Sequence, residues 1–255
     1  MKQAKRPRIS AVIPVKANLN GLKATVMQLQ SIDPHRIEII VVDGGGCKAT
    51  KRWLLENQEH IDHIRSSDDQ GIYSAMNYGK SCANGDWVWF AGAGDLPIAS
   101  TWQDWLNSDE LEVENSDETD ELHVFQVMLD KTRETGVPDQ YPARWDASMC
   151  WRNTTHHQGV LYPRELIQSE HFDANINVLA DYALHLKLWS NGNAAKLNHA
   201  PWAQVASGGI SRAFTSSLYF EEWRFKRSVL RGWRLWVQPF WLILKYSFKK
   251  SGINR

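Results

Sequence analysis

Three cysteines are all that this chain of 255 residues contains, and Cys47, Cys82 and Cys150 stand at no metal-binding or redox spacing. That excludes a disulfide framework and a CxxC centre, and it fits a reducing, cytosolic compartment. No apolar run reaches the length that crosses a bilayer. Residues 1–16 are basic but lack the apolar core of a secretory signal. GxxxxGK[ST] is absent, and so is a GxGxxG after the first apolar stretch, which excludes the two common glycine-rich phosphate loops. No internal repeat is present, so a solenoid is excluded as well. Net charge is zero, and an overall excess of one sign therefore says nothing about partners.

What is present is ordinary in bulk and uneven in detail. Apolar residues make up 43% of the chain and charged residues 23%, as in a folded domain of this length or a domain with an appendage. The balanced charge hides a split. Residues 103–122 carry nine acids and no base, and from Arg212 onward ten basic residues face only Glu221 and Glu222. Asymmetry of this kind marks where partners sit rather than which fold is adopted.

Along the first third, apolar stretches alternate with helical patterns. "RISAVIPV" (8–15), "IEIIVVD" (37–43) and "WVWF" (87–90) read as buried strands without alternation. "LKATVMQLQSI" (22–32), "KRWLLENQ" (51–58) and "IYSAMNYGKSCA" (72–83) read as helices. Unbroken apolar strands separated by helices predict an α/β fold with a mostly parallel sheet covered on both faces. Further on, "HVFQVML" (123–129) predicts a strand, "QGVLYPRELI" (158–167) a strand running into a short helix, and "LADYALHLKLWS" (179–190) a helix closed by Asn191-Gly192. The tail reads as two helices broken at Pro239.

In open parallel sheets, ligands bind beyond the carboxyl ends of the strands. Polar groups stand at those ends: Asn18 after the first strand, Asp43 after the second, Asp69 before the third helix and Asp95 after "WVWFAGAG". Glycines flank them, including Gly44 to Gly46, Gly71, Gly92 and Gly94, and let a backbone approach a ligand closely. Each acid alone has a plainer role, since Asp43 can form a turn and Asp69, Asp95 and Asp181 can cap helices. Together they predict a ligand-binding edge. Acids facing a phosphate call for a divalent cation between them, Mn2+ or Mg2+, so a nucleoside diphosphate ester is the ligand class that fits. His156, His157 and Gln158 precede a strand that faces the same cleft, where they contact diphosphate, metal or acceptor, or pack as structural side chains.

The segments "ISAVIPVKANLNGL", "IEIIVVDGGG" and "DDQGIYSAMNYGKSCANGDWVWFAGAGD", with "HQGVLYPRELI", "FDANINVLADYALHLKL" and "GGIS" after them, resemble family 2 glycosyltransferases of the GT-A fold. Within that family they are most similar to the branch of colanic-acid and related exopolysaccharide synthesis. The resemblance runs from Arg8 to Ser211 in motif order. It implies a GT-A domain over 1–211 and a basic, aromatic helical tail over 212–255. It also implies sugar transfer from a nucleoside-diphosphate sugar to a glycan acceptor, lipid-linked, in lipopolysaccharide or exopolysaccharide synthesis. Residue by residue, Asp43 corresponds to the position that binds the nucleobase side and Asp69 to one near base or ribose. Asp95 corresponds to the last acid of the metal-binding DxD, and Asp181 to the catalytic base. Pro14, Asn18, Gly71, Asn77, Gly94, His157 and Gln158 fall among the nucleotide and substrate contacts. Two positions depart from the pattern: Ala93 replaces the first acid of DxD, and Ser74 replaces an aspartate.

The basic tail, rich in tryptophan, predicts a peripheral helix on an anionic membrane surface, on the inner face of the cytoplasmic membrane. The other readings of the tail are a helical pair packed on the domain or on a second subunit, and, more weakly, a nucleic-acid surface, which is not expected. Ala93 also motivates a rival reading, a non-catalytic nucleotide- or glycan-binding scaffold of the same fold. A nucleotidyltransferase would share the sheet and the metal logic but lacks its phosphate loop here.

Overall fold

The computed structural model describes residues 8–67, 71–108, 121–130, 139–206 and 215–250. Asp69, most of the acidic stretch and the "SGGIS" segment lie outside them. The predicted strands and helices of the first third form β1 (Ile9–Val15), α1 (Leu19–Ile32), β2 (Ile37–Asp43), α2 (Lys48–Glu56), α3 (Ile72–Cys82) and β4 (Trp87–Phe90), and a short unpredicted strand, β3 (His63–Ser66), precedes α3. There follow β5 (Leu96–Pro97), α4 (Ala99–Leu106), β6 (Leu122–Leu129), β7 (Gln140–Tyr141), β8 (Val160–Pro163), α5 (Arg164–Ser169), α6 (Ala180–Ser190), β9 (Ala195–Val205), α7 (Ser216–Val229) and α8 (Trp233–Lys250).

One sheet runs in the order β3-β2-β1-β4-β8-β6-β9-β5, with β7 paired to β6. β3, β2, β1 and β4 are parallel, β8 is antiparallel to both neighbours, β6 and β9 are parallel to each other, and β5 closes the edge antiparallel to β9. The unbroken apolar runs are explained by what lies on each face. Val12, Ile40, Val42, Val88 and Phe90 point into one core with Tyr73, Met76, Tyr182 and Leu186. Their strand neighbours Ile13, Ile39, Val41 and Trp89 point into the other core with Leu22, Leu29, Leu54 and Trp102. Neither face is wet, so alternation is lost. The second core is anchored by aromatics: Trp102 stacks on Trp202 at 4.4 Å, and Trp202 stacks on Phe125 at 4.2 Å.

The tail differs from expectation in where it breaks. α7 ends before Leu230 and Gly232 takes φ +60, whereas Pro239 lies inside α8. A left-handed glycine stops a helix more sharply than the loss of one N–H. α7 packs on α6, with Phe225 stacked edge-on against Tyr182 at 5.0 Å. Lys226, fully buried, joins Glu222 (2.7 Å) and Gln238 (3.2 Å), and Gln238 donates to the Cys150 carbonyl (3.0 Å).

Candidate active site

The carboxyl ends of β1, β2 and β4 open at one edge, and the loop after β4 is fastened there by α1. Asn18 caps α1 by accepting from the Gly21 N–H (3.1 Å), and its Nδ2 donates to the Ala93 carbonyl (2.7 Å). Gly21 is required by that contact, because a Cβ on it would stand 2.5 Å from Asn18 Nδ2 and 2.7 Å from the Ala93 oxygen. One turn along α1, the Thr25 hydroxyl accepts from the Gly94 N–H and faces the Asp95 carbonyl, both at 2.9 Å. Gly94 adopts φ +110, a conformation that disfavours any side chain.

This geometry turns the Asp95 side chain inward rather than onto a helix. α4 begins at Ala99, so Asp95 is not its cap. Oδ2 accepts from the Gly92 N–H (2.6 Å) and from Gln158 Nε2 (2.9 Å), and Oδ1 accepts from the Ala206 N–H (3.0 Å). Burial raises the Asp95 pKa, against the opposing pull of these three donors and of the His157 charge.

Gln158 carries the connection to a second carboxylate. Its neighbour His157 places Nδ1 3.0 Å from Asp181 Oδ2. Asp181 lies in the first turn of α6, where it takes the Tyr182 N–H but not the N–H groups of the turn that leads into the helix. The N–H groups of Asn177, Val178 and Leu179 are taken instead by the Glu221 carboxylate of α7, at 2.9, 2.9 and 2.8 Å. Asp181 is left to accept from the Tyr182 N–H (2.8 Å) and to face the Tyr73 hydroxyl (3.4 Å). Burial alone would raise its pKa. The hydrogen bond and charge of His157 outweigh that, aided by His185 and the Tyr182 N–H, and bring the value down to about 2. Burial also pushes His156 and His185 down to about 4. Both are therefore neutral at pH 7.

Asn18, Gly94, Asp95, His157, Gln158 and Asp181 thus form one connected cluster. The other sequence candidates are distributed around it. Asp43, fully buried, accepts from the Gly45 N–H (3.1 Å) and from the Ser66 hydroxyl (2.7 Å), on the β2 side of β1. Pro14 pairs with Val42 beyond the last β1–β4 pair, Val12 with Phe90. Gly71, at φ +97, opens α3. Asn77 is not brought into the cluster, because its amide bridges the Phe172 carbonyl (2.7 Å) and N–H (3.0 Å). Thr25, Tyr73 and Glu221 are the residues that sequence reasoning missed. Thr25 carries the apolar spacing of α1 and gives no separate signal. Glu221 had one, as half of the only acidic pair in a basic tail.

A divalent cation is poorly served by this donor set. Position 93 is alanine, and both Asp95 oxygens already accept N–H groups. Among the described residues no three His, Cys, Asp or Glu side chains converge as ligands. Among the described residues the side chains alone therefore form no resident metal site, and a divalent cation here would take most of its oxygens from donor phosphates and water.

Residues 10–106 match the family described as Glycosyl transferase family 2. A 90-residue stretch is 33% identical to an uncharacterized glycosyltransferase of Mycobacterium tuberculosis, covering 35% of this chain and 34% of that relative. The matched part is thus about a third of that relative's length. A PGL/p-HBAD biosynthesis glycosyltransferase of Mycobacterium bovis is 27% identical over 191 residues, 72% of this chain and 71% of that one. Among solved structures, S. aureus TarS superposes with a TM-score of 0.66 at 12% identity, over 97% of this chain and 44% of TarS. The mannosyltransferase PcManGT of Pyrobaculum calidifontis, solved with GDP-Man and Mn2+, gives 0.58 at 16% identity over 95% of this chain and 72% of its own. At these identities the likeness is one of fold, and the fold is GT-A α/β.

Proposed function

We propose, from a chain whose residues 10–106 match family 2 glycosyl transferases, that the protein is an inverting glycosyltransferase. It would move a sugar from a nucleoside-diphosphate sugar to a hydroxyl of a bacterial surface glycan. The observation that carries this reading is the linked pair of carboxylates, Asp95 and Asp181, joined through Gln158 and His157 at the open edge of the sheet. One carboxylate braces the loop that would meet the diphosphate. The other stands ionised where an acceptor would enter.

In the proposed step the acceptor hydroxyl attacks the anomeric carbon. Its O–H proton passes to an Asp181 oxygen as the new O–C bond forms. The bond from the anomeric carbon to the phosphate oxygen breaks on the opposite face, and the nucleoside diphosphate leaves with that electron pair, so the configuration inverts. A base at a pKa of about 2 is weak in the resting site. Its strength rises when the His157 hydrogen bond is exchanged for the acceptor hydroxyl. Asp43 and, outside the described residues, Asp69 would take the nucleoside, while His157 and Gln158 would face the diphosphate. With Ala93 in place of the first acid, a divalent cation, Mn2+ or Mg2+, would be held by Asp95 together with the donor's own phosphate oxygens, where it would offset charge on the leaving diphosphate. The acceptor in this reading is a lipid-linked oligosaccharide of exopolysaccharide or lipopolysaccharide synthesis, reached at the inner membrane face. The exposed apolar tail supports that side of it.

The same donor set favours one rival, a scaffold that binds nucleotide without turnover. Thermal melting of the purified protein against UDP, GDP, dTDP and CMP, each with and without Mn2+, comes first, since a ligand at about a hundred times its Kd adds about 2.7 kcal/mol. A shift with one nucleoside diphosphate is expected, and the corresponding sugar nucleotide should then be turned over. A shift without turnover on any acceptor extract would favour the scaffold, and no shift at all would remove both readings.

A further inference from the structure

α8 packs one face on the rest of the protein and turns a largely apolar one away from it. The face that meets the protein is mixed: Leu242 is buried and Leu235 packs on the core, while Gln238, fully buried, reaches the Cys150 carbonyl (3.0 Å), Trp241 Nε1 reaches the Trp151 carbonyl (2.8 Å), and Lys245 pairs with Glu222 (2.8 Å). The side chains that face away are large and apolar: Trp236 is 79% exposed, Phe240 76%, Ile243 66%, Trp233 64%, Phe248 50% and Leu244 48%. Their spacing of three and four residues puts them on one stripe of the helix. The bonds to Cys150, Trp151 and Glu222 fix the rotation of α8, so the stripe cannot turn inward without breaking them. Scattered exposed apolar residues need no explanation, but a continuous stripe of this size marks a contact surface.

Charge selects the partner. Between 215 and 255 the only acids are Glu221 and Glu222, and both turn inward, onto the turn that leads into α6 and onto Lys226 and Lys245. The outer face of α7 carries Arg224 and Arg227, and Arg231 follows in the link to α8, all exposed. A two-fold contact between copies would bring matching basic borders together. An anionic lipid surface complements them. No helix is long and apolar enough to cross a membrane among the described residues, so the stripe would lie in the plane of the interface. We infer that α8 docks the protein on an anionic bilayer, with its tryptophan and phenylalanine side chains inserted at headgroup depth and the arginines of α7 and its link at the phosphates. This deepens the membrane side of the function proposed above but rests on α8 alone.

The test is co-sedimentation of the full chain with phosphatidylcholine vesicles, with and without phosphatidylglycerol. The triple variant Trp236→Ser, Phe240→Ser, Ile243→Ser and the double variant Arg224→Gln, Arg227→Gln are compared with the parent. The parent should bind the anionic vesicles and leave the neutral ones. The triple variant should lose binding by roughly tenfold or more, and the double variant should lose less and become less sensitive to salt. All three should melt alike and keep the nucleotide-induced shift, which separates this inference from the enzymatic one. Equal binding by parent and triple variant, or none by the parent, would overturn the proposal. So would a parent dimer in sedimentation velocity that the triple variant dissociates, which would assign the stripe to a second copy.

Discussion

The two carboxylates at the sheet edge are held in opposite ways. Asp95 is surrounded by neutral donors, two main-chain N–H groups and an amide, and burial prevails, raising its pKa. Asp181 sits among rings, and the His157 bond prevails over a burial just as deep, taking it down to about 2. Neutral donors orient a carboxylate without fully replacing its hydration, whereas an imidazole that can carry charge does both. The first arrangement suits a brace and the second an acceptor of protons. The difference is sharpest in what amide replacement should do at each site.

At Asp181, replacement by Asn keeps the shape and removes the proton acceptor. Transfer should fall by about 10²- to 10⁴-fold, the usual worth of a positioned base, while the nucleotide-induced thermal shift is retained. Rates of purified variants on the identified donor measure it, and a loss below tenfold would take the base role away from Asp181. At Asp95 the effect should appear in stability. Asp95→Ala leaves the Gly92 and Ala206 N–H groups and the Gln158 amide without their acceptor, at about 1–3 kcal/mol for each donor that water does not reach. Urea unfolding should show the loss, together with weaker nucleotide binding. A variant as stable as the parent would break the contrast between brace and base.

The same contrast explains how much was legible in the sequence. The strands from Ile9 to Phe90 announced themselves because each is a short apolar run beside its own helix, and their carboxyl ends located Asn18, Asp43 and Asp95 without any long-range information. The second half was harder. β9 carries Asn198, His199 and Pro201 and shows little apolar pattern until Trp202. In the first half, β3 is the exception, since it is wholly exposed and reads as loop. Asp181 was visible as an acid in a helical pattern, but its partner His157 stands 24 residues from it along the chain, and the Gln158 amide stands 63 residues from Asp95, which it holds. Contacts across such separations leave no local periodicity to read. Asn77 shows the converse, since a polar side chain in a motif-bearing helix turned out to bind the backbone at Phe172.

Glu221 probes the link between the two halves with a smaller expected effect. Its carboxylate gathers the N–H groups of Asn177, Val178 and Leu179 and so holds the turn that leads into α6 and presents Asp181. Glu221→Ala should cost about 1–3 kcal/mol, the cost of leaving main-chain donors that water does not reach without their acceptor. If Glu221 positions Asp181, kcat should fall several-fold with the donor KM unchanged, and Glu221→Asp should restore part of it. A purely structural role would lower stability and leave kcat per folded molecule as it was.

The smallest effect is on acid stability, and its sign follows from the depressed pKa. Asp181 ionises at about 2 in the folded protein against an ordinary value of 3.8. The unfolded chain therefore takes up a proton at Asp181 before the native one does. The stabilisation is complete above pH 3.8 and is lost progressively as the pH falls through that value towards 2. Asp95, with its pKa raised, gives no such acid-limb loss. Unfolding free energies measured from pH 6 down to pH 2 should thus fall less steeply for Asp181→Asn than for the parent, once the fixed cost of the substitution is subtracted. His157→Asn should flatten the same limb, because it removes the bond that holds the value down. Parallel acid limbs in all three proteins would mean that His157 does not depress Asp181, and the two carboxylates would then differ in position alone.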